Sequence, residues 1–259
     1  MNSLDQLLAE YPPDIMAIAS YLTDLLADAV SRINDGFSPK RLSKQPRDVE
    51  PLPTDRRQLS SYRTRIGTML EYALSTEIHT ILSERYGKRF LLTFATSHEY
   101  PDFYLREDTL TSLLRIEMKA VDAESDEQAA RFGTPTAWID ADRDLLLIIG
   151  WQWVALHHEV SGDIIGEYPH IFASIVLPAG DLANERDRRL EITGGKIEGE
   201  QVLVFSPRKQ EYVPDPSNYG KFWRLIHNSR RDANDLSDSV KRFLEFLALI
   251  DEKSPRNRF

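Results

Sequence analysis

The chain has 259 residues, 41% of them hydrophobic and 28% charged, enough for one large domain or two small ones around a sizeable core. It contains no cysteine, which excludes disulfides, thiolate metal sites and cysteine nucleophiles. A formal net charge of −9 argues against a passive nucleic-acid coat protein, but charge distribution matters more than the total and leaves room for a local basic cleft.

The opening stretch, MNSLDQLLAEYPPD, lacks a basic n-region and an uninterrupted apolar core, so it does not read as a signal peptide. No apolar run approaches the roughly 20 residues of a membrane span, and a cytoplasmic, non-membrane protein is expected. Residues 14–34 read as a long helix, because Ile15, Ile18, Leu22, Leu25, Leu26, Val30 and Ile33 recur at helical spacing. A proline-rich, charged arm follows, locally basic through Lys40, Arg41, Lys44, Arg47, Arg56 and Arg57. A second helix is predicted over 60–85, with Ile66, Leu70, Leu74, Ile78, Ile81 and Leu82 on its apolar face and Gly87 as its C-terminal cap.

The period then changes. Strands are predicted over 90–95, 103–105, 113–121, 144–156, 171–177 and 201–205. Ser125 and Gln128 have capping-box spacing, which predicts a helix running to Arg131. A short charged helix is predicted over 182–189, and two more over 217–228 and 236–250. The order of helices, a mixed sheet with interspersed helices, then helices again predicts an α/β fold with a central mixed sheet flanked by helices.

The stretch TSHEYPDFYLREDTLTSLLRIEMKAV carries the chemistry. Pro101-Asp102 is followed, after fourteen intervening residues, by Glu117-Met118-Lys119. Alternation along a strand puts Glu117 and Lys119 on one face. A hairpin between this strand and the one that starts beside Asp102 would bring the two carboxylates together. Two carboxylates can hold one or two hard cations through oxygen ligands, and a lysine beside them can orient water and stabilise a phosphoryl oxyanion. Taken alone, an E-x-K on a strand is usually a pair of solvated charges and a Pro-Asp usually a turn. Here both occur in order, on the elements the chemistry needs.

This arrangement resembles the PD-(D/E)XK nuclease superfamily, and within it the type II restriction endonucleases. The resemblance implies a restriction-endonuclease-like fold and Mg²⁺-dependent hydrolysis of double-stranded DNA. It implies Asp102 and Glu117 as metal ligands, Lys119 as the residue assisting the nucleophile, and a homodimer for cutting two strands. The core motif spans only about 20 residues. A helix before the hairpin often contributes a further metal-site glutamate in this superfamily, and Gly67-x-x-x-Glu71 looks like that element. The helical wheel offers Glu77 instead, nearer the centre of the apolar face. One nuclease domain over 1–259 is expected: N-terminal helices and basic arm (1–60), catalytic core (61–180), and a part serving DNA recognition or dimerisation (181–259), with the helices at 14–34 and 236–250 as interface donors or, equally, as intramolecular packing.

Phosphate contacts are expected from basic segments. The arm with Lys40, Arg41, Lys44 and Arg47 is one; Arg186, Arg188 and Arg189 are a second; Arg208, Lys209, Arg230 and Arg231 are a third. For each, the alternative is a solvated charged surface. His157-His158 reads as a strand end, because adjacent side chains point to opposite faces. Trp151 and Trp153 read as packing on one face of the sheet, with base stacking as the lesser alternative. His227-Asn228 lacks the rest of a histidine-nuclease pattern, and no phosphate-binding loop consensus is present. The runner-up readings are a structure-specific repair or recombination nuclease and a non-catalytic DNA-binding protein of the same fold.

Overall fold

A computed structural model describes residues 3–36, 53–95, 100–125, 130–199, 201–215, 219–222, 225 and 235–254. Three helices come first. The short α1 (Leu4–Ala9), which the sequence reading did not anticipate, starts at a capping box between Ser3 and Gln6. The long α2 (Ile15–Gly36) and α3 (Arg56–Tyr86) follow. α3 begins earlier than predicted because Asp55 accepts hydrogen bonds from the Arg57 and Gln58 amides, satisfying two orphan donors of its first turn. It ends at Gly87, whose φ of +63° suits glycine.

The central sheet has five strands in chain order: β1 (Phe90–Phe94), β2 (Phe103–Glu107), β3 (Ser112–Asp122), β4 (Asp144–His157) and β5 (Ile164–Pro178). β1, β2 and β3 pair antiparallel, β3 and β4 pair parallel, and β4 and β5 pair antiparallel, so the sheet is mixed. β5 starts well before the predicted Ile171, because β4 and β5 continue together as a long hairpin closed by a turn at 158–163. The parallel connection from β3 to β4 is a crossover that includes a 3₁₀ turn at Thr136–Trp138.

Two cores lie on the two faces. In β3, Leu114, Ile116 and Met118 alternate onto the face covered by α2 and α3. Glu117, Lys119 and Val121 point to the other face. There Leu146 and Ile148 of β4 pack beneath α4 (Ala179–Ile192) and α5 (Asp238–Lys253). A small antiparallel sheet, β6 (Lys196–Glu198), β7 (Gln201–Ser206) and β8 (Glu211–Pro214), follows α4; only its middle strand was predicted. None of the described helices is long and apolar enough to cross a membrane.

The apolar faces of α2 and α5 are spent inside the chain. Ile18, Leu22, Leu25, Leu26 and Ile33 of α2 are buried in the core. Thr23 and Asn34 also bond the backbone of the edge strand β5, at Val176 and Ile171. Phe243, Phe246, Leu247 and Ile250 of α5 are buried against the opposite face. These stripes are therefore intramolecular packing and do not donate a dimer interface.

The helix expected over 125–131 falls mainly outside the described residues, and Arg131 at its far end forms an isolated β-bridge with Lys221. The helix expected over 217–228, with His227-Asn228, also lies mostly outside them.

Candidate active site

The site forms where β2 stops short of its neighbour. The pairing between β2 and β3 begins at Phe103 and Ile116, so Asp102 lies at the end of β2 just where β3 continues as Glu117-Met118-Lys119. Past that point β3 keeps β4 on one side. On the other side the Asp102 carboxylate takes the place of a strand carbonyl and accepts the Met118 amide at 2.8 Å. The carboxylate is thus anchored by the backbone of the residue between Glu117 and Lys119. Pro101, next to it, follows a cis peptide bond.

Lys119 Nζ lies 2.5 Å from Glu117 Oε1 and 3.8 Å from Asp102 Oδ2, and it also donates to the Met118 carbonyl at 3.0 Å. Asp102, Glu117 and Lys119 are therefore brought together at one strand edge. Burial pushes the Glu117 carboxyl up; Lys119 opposes this, and the neighbouring Asp102 adds to it. Burial pulls Lys119 down, yet Glu117, Asp102 and Glu71 outweigh it and hold the ammonium above the ordinary lysine range.

Glu71 and Glu77 separate on α3. Gly67, one turn before Glu71, packs so closely on β3 that an added Cβ would meet Ala120 Cβ at 3.4 Å. Glu71 follows it toward the site. Its carboxyl is pushed up to about 7, first by burial, with Lys119 opposing and Asp102 and Glu117 reinforcing. The Glu77 charge instead acts on Arg32 of α2. The two residues part because Glu71 lies one turn beyond Gly67, where α3 packs on β3, whereas Glu77 lies where α3 approaches Arg32 of α2.

Among the described residues no group of three or more His, Cys, Asp or Glu side chains is disposed to hold a metal ion. Glu71 therefore does not join Asp102 and Glu117 in a three-acid cluster here. The donor set is the two carboxylates, which flank the Lys119 ammonium and offer oxygen only. That set fits a hard divalent cation, which would relieve their mutual repulsion.

Glu117 and Lys119 open into a cleft of about 930 Å³. Its other walls come from the crossover loop 130–138, from Asp187 of α4, from Tyr219, and from Ile197, Gln201 and Pro214 of the small sheet. Beneath it Asp144, fully buried, pairs with Arg115 at 2.5 Å and accepts the Tyr100 hydroxyl at 2.6 Å. Burial and this carboxylate push the Tyr100 phenol far above its ordinary range, so it stays a donor. The arrangement ties the ends of β3 and β4 to the approach to Asp102.

The basic residues expected to touch phosphate sort differently. Lys40, Arg41, Lys44 and Arg47 lie outside the described residues, as do Arg230 and Arg231. Arg186 and Arg189 are each only 4% exposed, so they are not surface cations. Arg186 donates to the Phe132 and Thr134 carbonyls and lies over the Tyr219 ring; Arg189 pairs with Glu185 at 2.5 Å. Arg188 is partly exposed but also pairs with Glu185, at 2.9 Å. Charge was legible in that run; burial by a neighbouring loop and by Glu185 was not. His158 caps the turn after β4 by accepting the Val160 and Ser161 amides. Trp151 is buried, and Trp153 stacks on Tyr62.

The cleft residues Tyr100, Trp138, Asp187 and Tyr219 escaped the sequence reading. The exposed aromatic in the loop run GTPTAW was the only local signal. Comparison with models of known protein families gives no match, and comparison with curated proteins gives none either.

Proposed function

We propose that this chain is a Mg²⁺-dependent endonuclease acting on double-stranded DNA, of the type II restriction kind, with a restriction-endonuclease-like sheet. One observation carries the reading: the Lys119 ammonium lies between the Asp102 and Glu117 carboxylates at an interrupted strand edge that faces a cleft. Asp102 and Glu117 would hold the metal, and Glu71 would add negative potential beside them where its carboxyl ionises, above about pH 7. When bound, Mg²⁺ supplies a water of lowered pKa and stabilises charge developing on the phosphoryl oxygens. Lys119 orients the attacking water and holds its proton on Nζ toward a non-bridging phosphoryl oxygen. The water oxygen bonds to phosphorus as the bond to the leaving sugar oxygen breaks; the water gives up a proton to solvent, and the leaving oxygen takes one from solvent and departs as a hydroxyl.

A structure-specific nuclease is the second reading. Among the described cleft residues the cations are Lys119 and Arg131, set among Tyr100, Trp138 and Tyr219. A few cations with several aromatics also suit a strand with unpaired bases. Plasmid, genomic and branched DNA incubated with Mg²⁺ or with EDTA separates the possibilities. Discrete Mg²⁺-dependent fragments support restriction, and cleavage of branched DNA alone supports the second reading. No cleavage of any of these DNAs refutes both.

A further inference from the structure

We propose that Trp138 is the platform on which a nucleobase of the scissile strand stacks, beside the phosphate engaged by Lys119; this rests on the nuclease reading above. The loop carrying Trp138 is held by the buried Arg186 and by Asp187, which also lines the cleft. Arg186 donates to the Phe132 carbonyl at 2.9 Å, the Thr134 carbonyl at 2.7 Å and the Thr136 hydroxyl at 2.9 Å. Asp187 accepts from the Thr136 and Tyr219 hydroxyls, each at 2.5 Å. For stability alone, apolar packing at such a position serves as well as or better than a buried charge. What the charge network adds is a defined loop shape facing the catalytic pair.

Against that rigid backing, the Trp138 side chain is left open. It is 49% exposed and lines the cleft, whereas Trp151 is 1% exposed in the core. A large exposed aromatic in a concave site marks a ligand surface. Its position selects the ligand. Arg115 donates to the Trp138 carbonyl at 2.9 Å, and Arg115 lies two residues before Glu117 on the same strand face, about 6.6 Å along β3. The backbone of Trp138 is thereby tied to the strand face that carries Glu117 and Lys119, and its indole lines the same cleft, where a phosphate engaged by Lys119 brings its own base. Every nucleobase has a π face, so a base that is unpaired, or extruded from the duplex, stacks here in any sequence.

The test uses the full chain with Ca²⁺ replacing Mg²⁺, and a short mixed-sequence oligodeoxynucleotide, single-stranded or as its duplex. Trp138→Ala is expected to weaken binding about tenfold or more, while Trp138→Phe stays close to wild type. Tryptophan fluorescence should be quenched by the oligonucleotide in the wild type, and that quenching should be lost in Trp138→Phe. The second readout remains decisive if Trp138→Ala fails to fold. Unchanged binding by Trp138→Ala, or quenching that persists in Trp138→Phe, overturns the stacking role while leaving Mg²⁺-dependent cleavage by the wild type intact. Wild-type protein that neither binds nor cuts DNA overturns this inference together with the nuclease reading.

Discussion

Lys119 is the residue through which the site is assembled, since its ammonium reaches both carboxylates and the carbonyl between them. Asp102→Ala, Glu117→Ala and Lys119→Ala are each expected to lower the cleavage rate about a hundredfold or more, with circular dichroism unchanged. Full-rate cleavage by Lys119→Ala would remove it from the mechanism. Glu71 supplies a pH dependence. Its folded pKa of about 7 lies above the usual carboxylate range, so its protonated form is the one the fold favours. That contribution is fully present below its unfolded pKa, about 4.3, and is lost as pH rises through 7. Metal-free protein is therefore expected to melt at progressively lower temperature between about pH 5 and pH 8. Glu71→Gln should flatten that slope, and added Mg²⁺ should raise the melting temperature more at pH 8 than at pH 6. Melting curves with equal slopes in the two proteins would show that the burial of Glu71 is relieved in some other way.

Elements position the site by where they stop and how closely they approach. β2 begins only one residue after Asp102, and the open edge of β3 that results is what lets a carboxylate bind the Met118 amide. α5 is seated by Gly150 of β4, where an added Cβ would come within 2.2 Å of Ile250 Cδ1 and 3.1 Å of Phe172 Cζ. Gly150→Ala must displace both side chains, and about 1–3 kcal/mol of lost stability is expected from overpacking. A shift of the urea midpoint at constant m-value would register it; an unchanged midpoint would mean that α5 moves without cost. Much of this layer was legible in sequence. The apolar stripes of α2 and α3, the β2–β3 hairpin and the alternation of β3 are local patterns with short repeats. The long β4–β5 hairpin was not, since polar residues such as Glu167 and His170 interrupt its apolar run while pairing across the ladder.

At the scale of the whole molecule the proposed reaction sets a requirement of symmetry. Cutting two antiparallel strands with one site per chain calls for two copies related by a two-fold axis, matching a palindromic target. Sedimentation is expected to show a dimer on target duplex. A species that stays monomeric on DNA and nicks one strand would overturn the palindromic restriction reading and leave the nuclease chemistry standing. The interface must use surfaces other than the apolar stripes of α2 and α5, which are buried within the chain.

The sequence by itself determined the α/β layering and the meeting of Asp102, Glu117 and Lys119. Both follow from interactions between near neighbours: strand alternation over two residues, and a hairpin spanning fourteen. The tertiary structure alone decided which helix glutamate lies near Lys119, that Arg186 and Arg189 are interior, and that Trp138 lines the same cleft as Glu117 and Lys119. Each depends on segments far apart in the chain, such as Arg186 with Phe132 or Gly67 with Ala120. Burial and long-range approach are properties of the packed chain, and the one-dimensional charge pattern around Arg186 reads the same whether a loop closes over it or water does.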